Sequence, residues 1–419
     1  MHYFLYPTKD TTISNDPSYV FKNMGLDEIL EVEKRTSNDS CSSTISYTEL
    51  VGYISSSCEL LSGSMSASYD SGSTDPNVVS SSYEIRYTKT LGPILSRALL
   101  QFDLSDISDA ISSGSIVAPK FYLNLKVCES VEIPTKYTLY AYPVSQSWDM
   151  GTGYKYDGST SADGANWKFT DGNTKQWYSA SLLDCNGGGV WWTNNGTLAS
   201  GSGFDTNYYV SGSYSAKQYF DYQSSDVKME ITSMVMGWIN EEIVNNGIVL
   251  MHSDESSSID YGKLRFFSKE TNTIYSPYID VAWDDSSITT GSADPIQIRD
   301  AVVNMKNMAE KYKFGSIIRM DVTARKRYPV KTFTNRSSDY LAPYYLPSAS
   351  YYQIKDAESE NTVIPYDEFT KLSFDGNGNY FMLDTTCLPQ ERYFKVEIRS
   401  EQSGSIMTYT VPTAFKISR

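Results

Sequence analysis

The chain has 419 residues, enough for two or three domains with cores of their own. A formal net charge of −15 argues against a nucleic-acid surface, because phosphates are repelled on average. With 34 tyrosines, 14% aromatic residues and plentiful Gly, Ser and Thr, the composition favours strands and polar turns over helices.

The opening MHYFLYPTKDTTIS has no basic segment leading into an apolar run, so it does not read as a secretory signal. No stretch approaches the length of a membrane span. Cys41, Cys58, Cys128, Cys185 and Cys387 are scattered without CxxC spacing, which fits a chain folded in a reducing compartment. A Cys41–Cys58 loop is the alternative. The composition is that of surface β-proteins, yet no export signal accompanies it. Virus-particle components, folded in a host cytoplasm and released by lysis, satisfy both conditions.

In chain order, residues 3–13 read as a first strand, with Phe4, Tyr6 and Thr12 on one side and Pro7 suggesting an edge. Residues 29–33 form a short second strand. Residues 36–82 are Ser-rich with Asp, Asn, Gly and Pro, and read as an insertion projecting from the fold; 44–61 within it holds a strand pair or a short helix. Residues 83–87 and 95–104 return to strands. RALLQFDLSDI, 97–107, alternates as a half-buried strand, with Leu100, Phe102 and Leu104 on one side and Leu99, Gln101 and Asp103 on the other. Residues 106–112 allow a helical turn.

Residues 120–127 alternate most cleanly, with Phe121, Leu123, Leu125 and Val127 inward. Residues 137–144 make another strand. A second insertion, 150–222, is dense in Gly, Ser, Asn, Tyr and Trp. Residues 227–232 are a strand; Val235, Trp238 and Ile239 then fall at helical spacing. Residues 248–251, 263–267 and 278–283 are strands, and 284–294 has the composition of a linker. Residues 300–312 fit either a helical face or a strand over AVVNM. Short strands follow at 317–323, 351–354, 371–374, 380–383, 392–398 and 407–411, the spacing of a small sandwich.

RALLQFDLSDI and APKFYLNLKV together resemble the DNRLRE family, a β-sandwich domain related to carbohydrate-binding modules. YPTKDTTIS, MGLDEILEV, YAYPVSQSWD, VKMEITSMVMGWI, NNGIVLMHS and LRFFSKE…SPYIDVAW resemble further segments of it in order, over residues 1 to about 285. RYPVKTF, SYYQIKDAESENTVIPYDEFTKLSFDGNGNYF and ERYFKVEI resemble a module at the end of virion structural proteins of large tailed phages. The resemblance implies an all-β chain: a jelly-roll-like N-terminal β-sandwich at 1–285 with insertions at about 36–82 and 150–222, a linker at 286–294, and a smaller sandwich-like C-terminal domain at 295–419. It implies a virion structural protein of the tail or neck, in symmetric copies contacting other virion proteins. The long insertions depart from the family pattern and would reshape any ligand groove.

Chemistry-bearing patterns are sparse. His2 and His252 are the two histidines, and GxSxG, HExxH, P-loop and metal-spaced Cys/His sets are absent. No catalytic, cofactor or metal residue is assigned, and the expectation is a non-enzyme without cofactor. Asp254, Glu255 and Asp260 flank a loop that would suit Ca²⁺, with a plain acidic loop as the simpler reading. Residues 375–379, DGNGN, read as a hairpin turn. Arg325, Lys326, Arg327 and Lys331 make a local basic run, read as an exposed strand face. Trp148, Trp238 and Trp283 read as core. Trp167, Trp177, Trp191 and Trp192 sit in the second insertion with Tyr208 and Tyr209; exposed, they would contact a sugar ring or a partner protein, and buried, they would order the loop. The alternative function is a carbohydrate-binding attachment module for host polysaccharide; a polysaccharide depolymerase ranks third. Nucleic acid and membrane are not expected partners.

Overall fold

The computed structural model describes residues 1–36, 40–41, 64–70, 82–90, 93–156, 163–177, 187–193, 197–200, 203–209, 213–291, 293–329 and 344–419, with backbone alone for 40–41, 64–70, 82–90, 197–200 and 203–209. The fold is all-β.

The first body begins with β1 (His2–Leu5), β2 (Pro7–Ser14) and β3 (Ile29–Arg35). A small sheet follows from the first insertion, in the order β4 (Ser40–Cys41), β6 (Ser82–Thr90), β5 (Ser64–Asp70). Next come β7 (Ile94–Phe102), α1 (Ser105–Ser112), β8 (Lys120–Leu125), β9 (Val127–Val131) and β10 (Lys136–Pro143). The second insertion contributes a sheet of β11 (Val190–Trp192), β12 (Thr197–Ser200) and β13 (Gly203–Tyr209). The body closes with β14 (Ala216–Asp221), β15 (Val227–Glu230), α2 (Thr232–Ile239), β16 (Ile248–His252), β17 (Gly262–Phe267) and β18 (Tyr278–Ala282).

A four-stranded sheet, β1-β18-β8-β15, faces an eight-stranded sheet, β14-β10-β16-β7-β3-β17-β9 with β2 also paired to β7. Period-2 alternation makes the core between them. Phe121, Leu123 and Leu125 of β8 and Ile279 and Val281 of β18 meet Ala98, Leu100 and Phe102 of β7, Leu30 and Val32 of β3, and Leu264 and Phe266 of β17. Helix α2 caps one end with Met234, Val235 and Trp238.

The sequence expectations hold for most strands and change in four places. Residues 3–13 are two strands in different sheets, because the chain crosses between layers at Tyr6. The strand at 97–107 is not half-buried: it ends at Phe102, Ser105 opens a helix, and its second face carries buried Leu99 and Arg97. The second insertion ends earlier than residue 222, since Ala216–Asp221 pairs with β10 as part of the large sheet. AVVNM is a strand, stabilised by pairing that periodicity in so short a run does not reveal. The expectation for 44–61 lies outside the described residues.

The second body packs a six-stranded sheet against a five-stranded one. The first has the order β19 (Asp294–Pro295), β23 (Tyr344–Tyr345), β22 (Ile317–Lys326), β27 (Asn379–Asp384), β26 (Ser373–Phe374), with β20 (Ala301–Lys306) also on β22. The second has the order β21 (Lys311–Lys313), β29 (Ser405–Ser418), β28 (Tyr393–Gln402), β24 (Ser350–Asp356), β25 (Thr362–Ile364). Met320 and Val322 of β22 and Phe381 of β27 meet Tyr352 and Ile354 of β24 and Phe394, Val396 and Ile398 of β28. Tyr352 stacks on Phe381 at 4.0 Å between centroids and joins the two sheets.

Strand β1 belongs to both bodies. Leu5 enters the first core, while Phe4 enters the second and stacks on Tyr278 at 4.2 Å. Buried His2 lies on the same side as Phe4. Its Nδ1 is 2.8 Å from Asp280 of β18, and its Nε2 is 3.2 Å from Asp367 of the second body. The Cys387 thiol donates to the His2 carbonyl at 3.1 Å. Residues 287–289, in the expected linker, hydrogen-bond to Phe374 and so run along the second body.

Burial alone would push the His2 pKa down; the hydrogen bonds and charges of Asp280 and Asp367 overcome this and raise it to about 9. The clasp therefore contributes fully below about pH 6.5, the unfolded value, and its contribution is lost as pH rises through about 9. His2→Asn is expected to lower stability at pH 7 by on the order of 2 kcal/mol. The difference between variant and wild type should shrink between pH 8 and 10, read by urea denaturation across that range.

Candidate functional site

The second insertion builds a third layer on the outer face of the large sheet. Leu99 of β7, Ile13 of β2, and Val249 and Met251 of β16 point away from the main core and are covered by Trp148, Trp167, Trp177, Trp191, Val144 and Val190. In the irregular part of this polar loop, asparagine side chains supplement the backbone hydrogen bonds. Asn23 Nδ2 donates to the Met150 and Ala165 carbonyls, and its Oδ1 accepts from the Gly25 and Gly153 amides. Asn166 Oδ1 accepts from Lys168 and Phe169, and its Nδ2 donates to Gly172.

The tryptophans expected as contact residues separate accordingly. Trp177 is wholly buried, with its indole N–H donated to the Asn166 carbonyl at 2.8 Å. Trp167 and Trp191 are buried as well. Trp192 is half-buried against the edges of both cores. For Trp167, Trp177 and Trp191 the loop-ordering alternative is the arrangement found: covering the outer face of the sheet occupies the faces a sugar would need. Tyr208 and Tyr209 lie on β13, and their side chains fall outside the described residues.

The residue at the centre of this layer is Arg97, 2% exposed. Its guanidinium lies between the rings of Trp167 and Trp191, at 4.9 and 4.8 Å from their centroids. Nε donates to Glu255 Oε1 at 3.1 Å and Nη2 to Glu255 Oε2, a bidentate pair, while Nη1 donates to the Gly188 carbonyl. Gly188 has φ +85°, and a Cβ there would meet Arg97 Nη1 at 2.5 Å and the Trp167 ring at 2.8 Å. Only glycine fits at that approach. In the sequence Arg97 heads the 97–107 strand with nothing beside it to mark a role. Its partners lie 70 to 158 positions away along the chain, and the GGG at 187–189 was the available signal.

A groove on the same body is lined by side chains of β2, β3, β9 and β17, by Met24, Asp27 and Glu28, and by residues 154–156, with a volume of about 410 Å³. Its floor is a cross-strand charge ladder. Buried Glu31 accepts from Lys155 Nζ and from Arg265 Nε at 2.9 Å, and Arg265 also reaches Glu129. Burial works against the Glu31 carboxylate, but the Lys155 charge beside it, with Lys263 and Arg265, holds its pKa below the usual value. Lys155 Nζ lies 4.8 Å from the Tyr19 ring and 5.7 Å from the Tyr156 ring. Tyr154 and Tyr156 are exposed at the rim.

Other expected sites resolve into structural contacts. Glu255 is taken by Arg97, Asp260 accepts from Thr36 Oγ1 at 2.6 Å, and Asp254 accepts from Ser256 Oγ at 3.1 Å. Among the described residues no three His, Cys, Asp or Glu side chains are gathered to share a metal ion. Residues 375–378 form the expected hairpin turn between β26 and β27. Buried His252 stacks on Tyr261, and burial, with the Lys34 charge adding to it, pushes its pKa down to about 3. One histidine is thus held neutral and the other charged, so neither is poised to shuttle a proton near pH 7. Cys128 is exposed and Cys387 buried, both as free thiols; Cys41, Cys58 and Cys185 have no described side chain. No helix among the described residues is long and apolar enough to cross a membrane.

No family model and no curated protein matches the chain. Among solved structures, the crystal structure of a DUF4785 family protein from Legionella pneumophila is similar over 72% of this chain, at 12% identity and a TM-score of 0.17. This chain spans about half of that protein's length, 55%. An overlay of that quality carries no argument about function.

Arg97→Ala would leave the Glu255 carboxylate without its partner and open a void between two indoles. Losing one member of a buried pair costs about 3–5 kcal/mol. The variant is expected to melt well below wild type and to show a red-shifted tryptophan emission. Arg97→Lys should recover only part of the loss, because an ammonium cannot bridge a carboxylate bidentately while stacked between two rings.

Proposed function

We propose that this chain is a structural subunit of a tailed-phage particle, placed in the tail or neck and acting through contacts with neighbouring subunits. One observation carries this reading. The charged and aromatic side chains with the most chemical potential are engaged in fastening layers to one another: Arg97 with Glu255, Trp167 and Trp191; Glu31 with Lys155 and Arg265; His2 with Asp280 and Asp367. A part that must hold its shape under load while its loops are gripped needs such joints. The ordered series of DNRLRE-like segments and the C-terminal module point the same way.

The two insertions leave opposite ends of the large sheet: the first joins β3 to β7 where Arg35 pairs with Ile94, and the second joins β10 to β14 where Pro143 pairs with Ile248 and Ile248 with Leu100. Lys34, just before the first, donates to the Ser257 carbonyl, and Thr36 donates to Asp260. Glu255 in that same loop holds Arg97 and, through it, Gly188 of the second insertion. The second insertion thus folds back across the outer face of the sheet, and Gly188 meets Arg97 and the 255–260 loop beside the start of the first insertion. The glycan-attachment alternative needed an open tryptophan platform, and the burial of Trp167, Trp177 and Trp191 disfavours it.

Electron cryomicroscopy and mass spectrometry of purified particles that encode the chain provide the test. The expected result is this chain in several symmetry-related copies, touching other virion proteins through the two insertions. Particles complete without it would contradict the reading.

A further inference from the structure

The chain is strongly acidic, yet one short strip is basic and has no ion-pair partner among the described residues. Arg325 and Lys326 end β22 and Arg327 follows; all three are exposed, and Tyr328 beside them is 82% exposed. The inward residues of this strand, Met320, Val322 and Ala324, are in the second core, so the strip is held rigidly at the surface. Upstream, Arg319 is neutralised by Asp321 at 2.8 Å and Asp375 at 2.5 Å. Arg325, Lys326 and Arg327 form no salt bridge with a carboxylate among the described residues; Lys326 rests 5.2 Å from the Tyr344 ring.

The groove on the first body has the opposite character. Asp27, Glu28, Glu31 and Glu129 line it against only Lys155 and Arg265. Lys155 is committed to Glu31, and Arg265 is shared between Glu31 and Glu129, so the four lining carboxylates outnumber the two lining cations and the groove keeps negative charge, with Glu28 and Glu129 exposed, to attract a further cation. Burial raises the Asp27 pKa above its usual value, so a new cation nearby would be welcomed. Lys155 shows what the groove accepts: an ammonium on a carboxylate, flanked by the Tyr19 and Tyr156 rings.

We propose that the groove of one copy receives the Arg325–Lys326–Arg327 strip of a second copy of this chain. The inference rests on the subunit reading and deepens it. Groove and strip lie on different bodies of one chain, so the contact is heterologous. Repeated around an axis, such a head-to-tail contact closes a ring when its rotation permits. Charge complementarity selects the second copy: the net charge of −15 otherwise drives copies apart, and this strip is where attraction can begin.

Sedimentation velocity on the full-length chain tests the contact. Wild type should self-associate at low ionic strength and dissociate as salt is raised. A strip variant, Arg325→Glu with Lys326→Glu and Arg327→Glu, should associate roughly a hundredfold or more weakly. A groove variant, Glu28→Lys with Glu129→Lys, should behave likewise. Mixing the two variants should restore association as an alternating assembly, a result that misfolding of either cannot produce. All substituted side chains are exposed, and circular dichroism checks each fold. A wild type that stays monomeric at low salt overturns the contact. Assembly that ignores salt and survives in both variants also overturns it, while leaving the subunit reading standing.

Discussion

The structure depends on one charged side chain buried where a hydrophobic one would be expected. Arg97 joins the large sheet to a long polar loop by three kinds of contact at once: stacking between two indoles, a forked pair with Glu255, and a hydrogen bond to the Gly188 carbonyl. Each alone would be modest. Together they satisfy a guanidinium that would otherwise cost several kcal/mol to remove from water. The insertion has a small sheet of its own, β11-β12-β13, and Arg97 with the asparagines Asn23 and Asn166 supplies side-chain bonds to the irregular backbone at 150–172 and 188. An apolar residue at position 97 would cover the sheet as well, but would not select where Gly188, Trp167 and Trp191 come to rest.

The same arrangement recurs at the other side of the first body. The four-stranded sheet is a wall between two cores, and alternation along β1 sends Leu5 one way and Phe4 the other. His2 shares the Phe4 side and meets carboxylates from both bodies. The chain is therefore a stack of layers, with the strands at each boundary buried on both faces. At Arg97, Glu31 and His2 the buried charge is paired across the boundary with opposite charge, and at Lys34 it is held by the carbonyls of Ser257 and Ile259.

How much of this was legible in the sequence depends on which face of a strand is considered. Phe121, Leu123 and Leu125 announce the inner face of β8 by period alone, and Val235 and Trp238 announce α2. The outer faces were illegible for a physical reason. Arg97, Glu31, Glu33 and Lys34 are all buried, but charged residues in a strand pattern read as solvent-facing until their partners are known. Those partners lie far along the chain, in loops for Arg97 and Lys34 and on β17 for Glu31 and Glu33, where no periodicity connects them. Leu99 did carry a signal, as an apolar residue on the supposedly wet face. Four tryptophans in a loop were the complementary signal, since that much aromatic surface needs a sheet to cover. The groove was harder still, because it arises from four strands and two loop segments that are distant in sequence and adjacent only through pairing register.

The central claim is that the second insertion is an integral layer of the first body, fastened through Arg97. Native-state hydrogen exchange tests it most directly, by comparing amides at 187–192 with those of β7. If the layer is fastened as described, the two segments should exchange with similar opening free energies and lose protection together as denaturant is added. Fast exchange at 187–192 while β7 stays fully protected would show that the layer lifts off by itself, and would contradict the account.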